Sequence, residues 1–202
     1  MFSRRQIAVA IPTCLMLVPA KFALSAATDD GADTLVRSLG NDAIHMLANG
    51  ALSQQQREAE FRELLHRGFD VGLVGQLALG RFWRQATDPQ KAEYQKLFES
   101  FIVKSYLARL GHYSGETFEV RGSRQGDDGD VTVQSEIDRP KDQPLHVDWR
   151  VRKEDAGYKI IDVTVDGVSE MATHREEFAA VIEHGGIDAL LDRLRQRTAS
   201  VN

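Results

Sequence analysis

Cysteine is nearly missing from this chain: one, Cys14, in 202 residues. Cys14 falls inside an N-terminal stretch that reads as a removable leader, so the remainder has no thiol. That excludes disulfide staples, cysteine nucleophiles and cysteine-held metals. The histidines (His45, His66, His112, His146, His174 and His184) are scattered, and none sits in the H-E-x-x-H spacing that places two imidazoles on one helix face. No apolar run reaches the roughly 20 residues needed to span a bilayer. Positive charge is also in short supply, with 25 Lys and Arg against 30 Asp and Glu. Such a chain lacks the basic footprint that nucleic acid or an anionic membrane surface would recruit. The Gly72, Gly75 and Gly80 series has no P-loop lysine after it and no strand before it, so it is no phosphate cradle. These glycines read instead as flexible joints between short helices. In "GDDGD" (126–130), Gly129 and Val131 stand where a calcium loop needs oxygen ligands, so a hairpin turn is the better reading.

What is present begins with "MFSRRQIAVAIPTCLMLVPAKFALSAA". Arg4 and Arg5, an apolar run from Ile7 to Val18, and small residues at Ser25, Ala26 and Ala27 form the layout of a secretory signal peptide. Cleavage is expected after Ala27, and Ser3-Arg4-Arg5 with Lys21 also suits the twin-arginine route. Residues 28–202 are then one domain, long enough for one core. Losing Arg4, Arg5 and Lys21 leaves that domain at a net −8.

The first half of the domain has helical periodicity. Leu35, Leu39, Ala43, Met46 and Leu47 share one face, and Asn49-Gly50 ends the run. Ser53 with Gln56 is a capping-box pattern opening a helix that carries Phe61, Leu64 and Leu65 and stops at Gly68. Thr87-Asp88-Pro89 opens a long helix with Tyr94, Leu97, Phe98, Phe101, Ile102, Tyr106 and Leu110 inward. That stripe reads either as solid core or as the wall of a cavity. After Tyr113 the period falls to two. Phe118 and Val120, then Val131, Val133 and Ile137, then Leu145 to Val151, then Ile161 to Val165 alternate with polar residues. This describes a four-stranded antiparallel meander covered on one face. Two further helices follow, through Phe178 and Ile182 and then through Leu190, Leu191 and Leu194. The expected class is α+β, with N-terminal and C-terminal helices on one face of a twisted sheet, either closing on it completely or leaving an apolar cavity between.

One stretch holds the makings of a hydrolase: Asp162, Ser169 and His174. Gly167-Val168-Ser169-Glu170-Met171 keeps only the first glycine of G-x-S-x-G, and Met171 crowds the elbow. Alternation turns Asp162 away from the cavity, and Ser169 serves more simply as a helix cap.

Two blocks resemble the MlaC family of periplasmic phospholipid carriers, the toluene-tolerance proteins. "FDVGLVGQLALGRFWRQATDPQKAEYQKLFESFIVKSYLARL" carries the Phe-Asp, Leu-Gly-Arg-aromatic-Trp and Phe-x-x-x-Phe/Leu run. "GYKIIDVTVDGVSEMATHREEFAAVIEHGGIDALLDRLR" carries Lys-x-x-Asp-Val, Gly-Val-Ser, Arg-x-x-Phe and a final leucine-rich helix. The resemblance implies a non-enzymatic lipid shuttle with no cofactor or metal, working in the periplasm without inserting into a membrane. Its implied partners are an inner-membrane ABC transporter complex with MCE domains and an outer-membrane lipoprotein–porin complex, which together maintain outer-membrane lipid asymmetry. Tyr158 replaces the tryptophan of many relatives, and Glu170 replaces an aliphatic residue. "YSGETF", "WRVRK" and "GYKIIDV" are most similar to a hopanoid-linked branch, so the implied cargo is a phospholipid, with a hopanoid as the alternative. Alternation places Val147, Trp149, Val151, Ile161 and Val163 in the cavity wall. Periodicity with the resemblance adds Phe69, Leu73, Leu77, Phe82, Trp83, Phe98 and Phe101. Arg81, Arg84 and Arg175 are head-group candidates through arginine–phosphate chemistry, or else partners in surface ion pairs.

Overall fold

The computed structural model describes residues 30–110 and 113–199. The leader with its cleavage site, Cys14 and His112 lie outside the described residues. Helix α1 (Asp30–Ala48) has Asp30 and Asp33 in its first turn, where the helix dipole favours negative charge. Helix α2 (Gln54–Gly68) starts with a full capping box: the Gln56 amide donates to Ser53 Oγ at 3.2 Å, and the Ser53 amide donates to Gln56 Oε1 at 2.9 Å. Helix α3 (Val71–Leu79) is capped by Asp70, whose Oδ1 accepts from the Leu73 amide at 2.9 Å. Gly80, at φ +58°, ends α3 and starts a 3-10 turn through Arg84. Helix α4 (Asp88–Leu110) repeats the capping box with Thr87 and Gln90.

Gly72 and Gly75 are not the joints expected of them. Both sit inside an unbroken α3; Gly75 lets it approach α4, since a methyl group there would crowd Gln95 and Phe98. Tyr94 Oη donates to the Gly75 carbonyl at 2.9 Å, and Gln95 Nε2 to that of Gly72 at 2.9 Å. Only Gly80 breaks the chain.

The sheet is an antiparallel meander: β1 (Thr117–Gln125), β2 (Val131–Asp138), β3 (Leu145–Glu154), β4 (Gly157–Val165) and a fifth strand, β5 (Val168–Ser169). The expected four strands gain this fifth because Asp166-Gly167 adopts positive φ (47° and 84°) and folds the chain back onto β4. Helix α5 (Glu170–Ala199) bends at Gly186 (φ 77°, ψ 178°), which makes it two helical segments in practice.

Three apolar clusters hold the described residues together. In the first, α3, the 3-10 turn, α4 and α5 interlock through Leu79, Phe82, Tyr94, Phe98, Phe101, Phe178 and Leu191. In the second, α1 lies on the sheet, with Ala32, Val36 and Leu39 against Val120, Val131, Val133, Val151 and Ile160. In the third, Met46, Phe61, Leu65 and Val103 join α1, α2 and α4. The helix covering the sheet is thus α1, while the aromatic α4 packs mainly on α5 and also meets α2 and α3. Gly40 permits the α1–β1 contact, since a methyl group there would overlap the Phe118 ring.

The "GDDGD" stretch is a hairpin turn, as expected. It buries Asp130 beneath two arginines of β3: Arg150 Nε donates to Oδ2 at 2.8 Å, and Arg152 Nε to Oδ1 at 2.8 Å. The Arg152 hydrogen bond, more than Arg150, holds the Asp130 carboxyl below the usual carboxylate range.

Gly40→Val should lower the thermal midpoint by several degrees in calorimetry. Overpacking costs about 1–3 kcal/mol, against less than about 0.5 kcal/mol returned in helix propensity. An unchanged midpoint would show that α1 is not seated on β1. Asp130 also sets an acid limb. Its folded carboxyl binds protons less readily than the unfolded one, so its stabilisation is present above about pH 4 and fades as pH falls through the depressed value. Acid titration followed by circular dichroism should therefore give Asp130→Asn a flatter loss of stability below about pH 4 than the parent.

Candidate functional site

Where the three clusters meet they leave a cavity of about 200 Å³. Each cluster gives it a wall: Leu39 from α1, Phe61 and Leu65 from α2, Phe98 from α4. Helix α4 runs along it with an i+4 stripe, Phe98, Ile102, Tyr106 and Leu110. Helix α3 contributes Val71 and Val74, and the sheet contributes Trp149 and Val163. Leu110, 37% exposed, carries this stripe to the surface at the end of α4.

Trp149 is fixed from three sides. Its indole N–H donates to Ser135 Oγ at 2.8 Å, and Phe69 and Phe118 meet its ring edge-on at 6.4 and 6.2 Å between centroids. Phe69 is placed by the α2–α3 junction, which runs beside β4: Phe69 bridges to Ile160, and the Asp70 amide donates to the Ile160 carbonyl at 3.2 Å.

One end of the cavity is polar. Tyr106 Oη donates to Glu170 Oε2 at 2.7 Å, and Arg109 Nη1 lies 3.4 Å from both oxygens of that carboxylate. Burial first, and the Glu170 bond second, push the Tyr106 hydroxyl well above the usual phenol range, so it remains a donor. Asp162 accepts from Ser169 Oγ at 2.7 Å and from the Met171 amide at 3.2 Å. Asp162 therefore lines the cavity where alternation had turned it away, because its carboxylate reaches across to the start of α5. His174 completes this end. It is only 8% exposed, stacks on Phe178 at 5.8 Å and meets Phe101 edge-on at 5.4 Å. Neither of its ring nitrogens has a hydrogen-bond partner among the described residues. Burial holds its pKa below the ordinary histidine range, opposed by the Glu177 and Glu170 carboxylates, so the ring is neutral near pH 7. An unpaired buried polar group of this kind costs about 1–3 kcal/mol.

Of the twelve residues expected in the wall, Phe69, Phe98, Trp149 and Val163 line the cavity. The other eight lie elsewhere, each for a structural reason. Leu73 and Leu77 occupy the half-exposed side of α3, about 100° round from Val74 and Ala78. Phe82, Trp83 and Phe101 belong to the helical cluster, because α4 packs on α5 rather than on the sheet. Val151 lies under α1, and Val147 is one repeat further along β3. Ile161 is displaced by a bulge: the register steps from Arg150–Asp162 to Val151–Ile160, so Ile160 takes the inward place that strict alternation gave to Ile161. The arginines are also off the cavity. Arg81 pairs with Glu183, Arg84 is exposed, and the exposed Arg175 lies against Gly80. Leu39, Ala43, Phe61, Leu64, Leu65, Ile102, Tyr106 and Leu110 were not anticipated but sit on stripes legible as inward, whereas Val71 and Val74 on α3 lie on no such stripe. What periodicity lacked was which partner each stripe meets.

Ser169 acts as the cap it was read to be, with Oγ accepting from the Ala172 amide at 3.0 Å. It makes no hydrogen bond to His174, so these two residues form no serine–imidazole pair. No group of three or more His, Cys, Asp or Glu among the described residues could hold a metal, and no described helix is long and apolar enough to cross a membrane.

Comparison with known proteins gives three findings. The intermembrane phospholipid transport system binding protein MlaC of Haemophilus influenzae is 21% identical over 127 residues, covering 61% of this chain and 59% of that protein's length. The structure of a phospholipid-binding protein from Ralstonia solanacearum, solved in complex with a phospholipid, matches with a TM-score of 0.73 at 27% identity over 84% of this chain and 98% of that one. Residues 37–196 match the MlaC protein family. That span takes in the whole sheet and nearly all of the helices that wall the cavity, and the chain belongs to the MlaC family.

Proposed function

We propose that this chain carries a phospholipid through the periplasm as the soluble component of an ABC-type lipid transport system. Its acyl chains lie in the cavity, and its head group faces solvent beside Leu110 and Arg109. It takes up and delivers cargo at an inner-membrane transporter complex with MCE domains and an outer-membrane lipoprotein–porin complex, and so maintains outer-membrane asymmetry. The observation that carries this reading is an apolar cavity between sheet and helices in a chain whose near-full-length structural match holds a phospholipid. Phe69, Phe98, Trp149 and Val163 contact the acyl chains. At about 0.8 kcal/mol per buried methylene, two acyl chains supply ample affinity without any reacting group. The empty space of about 200 Å³ is below the roughly 300–1,000 Å³ of most ligand pockets, so a two-chain lipid must push the walls outward as it enters.

Native mass spectrometry of protein exported to the periplasm and purified without detergent, followed by lipid extraction, is the direct test. The expected result is one phospholipid per chain. A stoichiometric hopanoid instead would keep the carrier and change its cargo. A bare mass with no uptake from liposomes would overturn the carrier. Ala43→Trp, which fills the cavity from α1, should reduce the loaded fraction while leaving the fold intact. Excluding only two methylenes already weakens binding about tenfold. Full loading of that variant would place the lipid elsewhere.

A further inference from the structure

The polar end of the cavity holds one group whose role the lipid-carrier reading does not use. Tyr106 Oη is committed to Glu170. Ser169 Oγ is committed to Asp162 and to the Ala172 amide. His174 alone has both polar atoms unbonded, in a ring that is 8% exposed and borders the cavity. Both ring nitrogens are covered in the empty protein, on a side chain that borders the cavity. Buried polar atoms in native proteins are nearly always paired, so this orphan points to a partner that reaches it as the walls part for the ligand. A neutral imidazole offers one N–H donor and one acceptor.

The chemistry of the site narrows that partner. Hydrocarbon tails offer no acceptor. A phosphate carries negative charge: it suits the exposed Arg109 outside, whereas next to His174 it would meet the Glu170 and Asp162 carboxylates that line the cavity. A neutral carbonyl has neither fault. It sits in a phospholipid where the acyl chain joins the glycerol, between a buried tail and a head group in water. We infer that His174 is the polar anchor of the cargo: its imidazole N–H donates to an acyl-ester carbonyl, and the cavity thereby prefers ester-linked lipids to guests without that oxygen. The inference rests on the carrier reading. It adds that the cavity recognises the ester as well as the hydrocarbon.

The test compares an ester-linked phospholipid with its dialkyl ether analogue of the same head group and chain lengths, titrated into the delipidated full chain. The parent should prefer the ester by about two- to tenfold, the range of one hydrogen bond. His174→Leu, similar in volume and without polar atoms, should bind both lipids alike. Its lipid-free thermal midpoint should match or exceed the parent's, because an unpaired buried group has been removed. His174→Gln, which keeps a side-chain N–H, should retain part of the preference. Should His174→Leu fail to fold, the parent's imidazole ¹⁵N shifts decide, moving with the ester lipid and not with the ether. Equal affinity of the parent for both lipids, a preference kept by His174→Leu, or unmoved ¹⁵N shifts would each overturn the anchor and leave the carrier standing. Uptake of neither lipid by the parent would instead overturn the carrier.

Discussion

Everything about the cavity follows from three apolar clusters that touch without merging. Close packing normally removes such gaps. Here α1 takes the sheet, α4 takes α5 and α3, and α2 is left to close the side between them. Leu39, Leu65 and Phe98 each finish one cluster and also face the space that none of them fills. A sealed void of about 200 Å³ would cost about 5 kcal/mol, at roughly 24 cal/mol per Å³. That is a large share of the roughly 5–15 kcal/mol that holds a domain folded. A gap that reaches the surface at Leu110 lowers that cost but leaves apolar wall exposed, which an apolar guest would cover.

The walls stay apart because β4 clamps a helix end on each side. Lys159 Nζ donates to the His66 and Arg67 carbonyls at 2.8 and 3.0 Å, closing the last turn of α2. Three residues on, Asp162 holds Ser169 and the Met171 amide at the start of α5. The Lys-x-x-Asp-Val motif is thus a double cap followed by a wall residue, Val163. The Phe-Asp motif works in the same way: Phe69 enters the cavity, and Asp70 caps α3. Both motifs read as family signatures in the sequence, and both act by fixing where helices begin and end around an empty space.

The elements were legible because their signals are local. Capping boxes at Ser53 and Thr87, the stop after α1 and the change of period before β1 depend on residues a few positions apart. The site was less legible because it depends on which stripe meets which. The α4 face splits in two: Tyr94 and Phe101 go to α5, while Ile102, Tyr106 and Leu110 go to the cavity. Periodicity marks both halves as inward and cannot separate them. The bulge at Ile161 is similar, since one extra residue shifts the inward set and nothing in "KIIDV" announces it. Gly75 was misread for a related reason. Glycine serves both hinges and close contacts, and only the Tyr94 hydroxyl on its carbonyl identifies the contact.

Asp162, Ser169 and His174 look catalytic as a list, and hydrogen-bond accounting separates them. Asp162 and Ser169 bond each other and two α5 amides, Met171 and Ala172, so their polar atoms already serve the fold. His174 serves no such purpose. A leucine there would pack between Phe101 and Phe178 without leaving two ring nitrogens unpaired. The fold carries the more costly residue at the one place where the cavity turns from hydrocarbon to polar, which is also where a lipid changes from tail to head. On the carrier reading proposed above, a group that weakens the empty protein and has the right chemistry for the filled one belongs to the ligand's side of the balance.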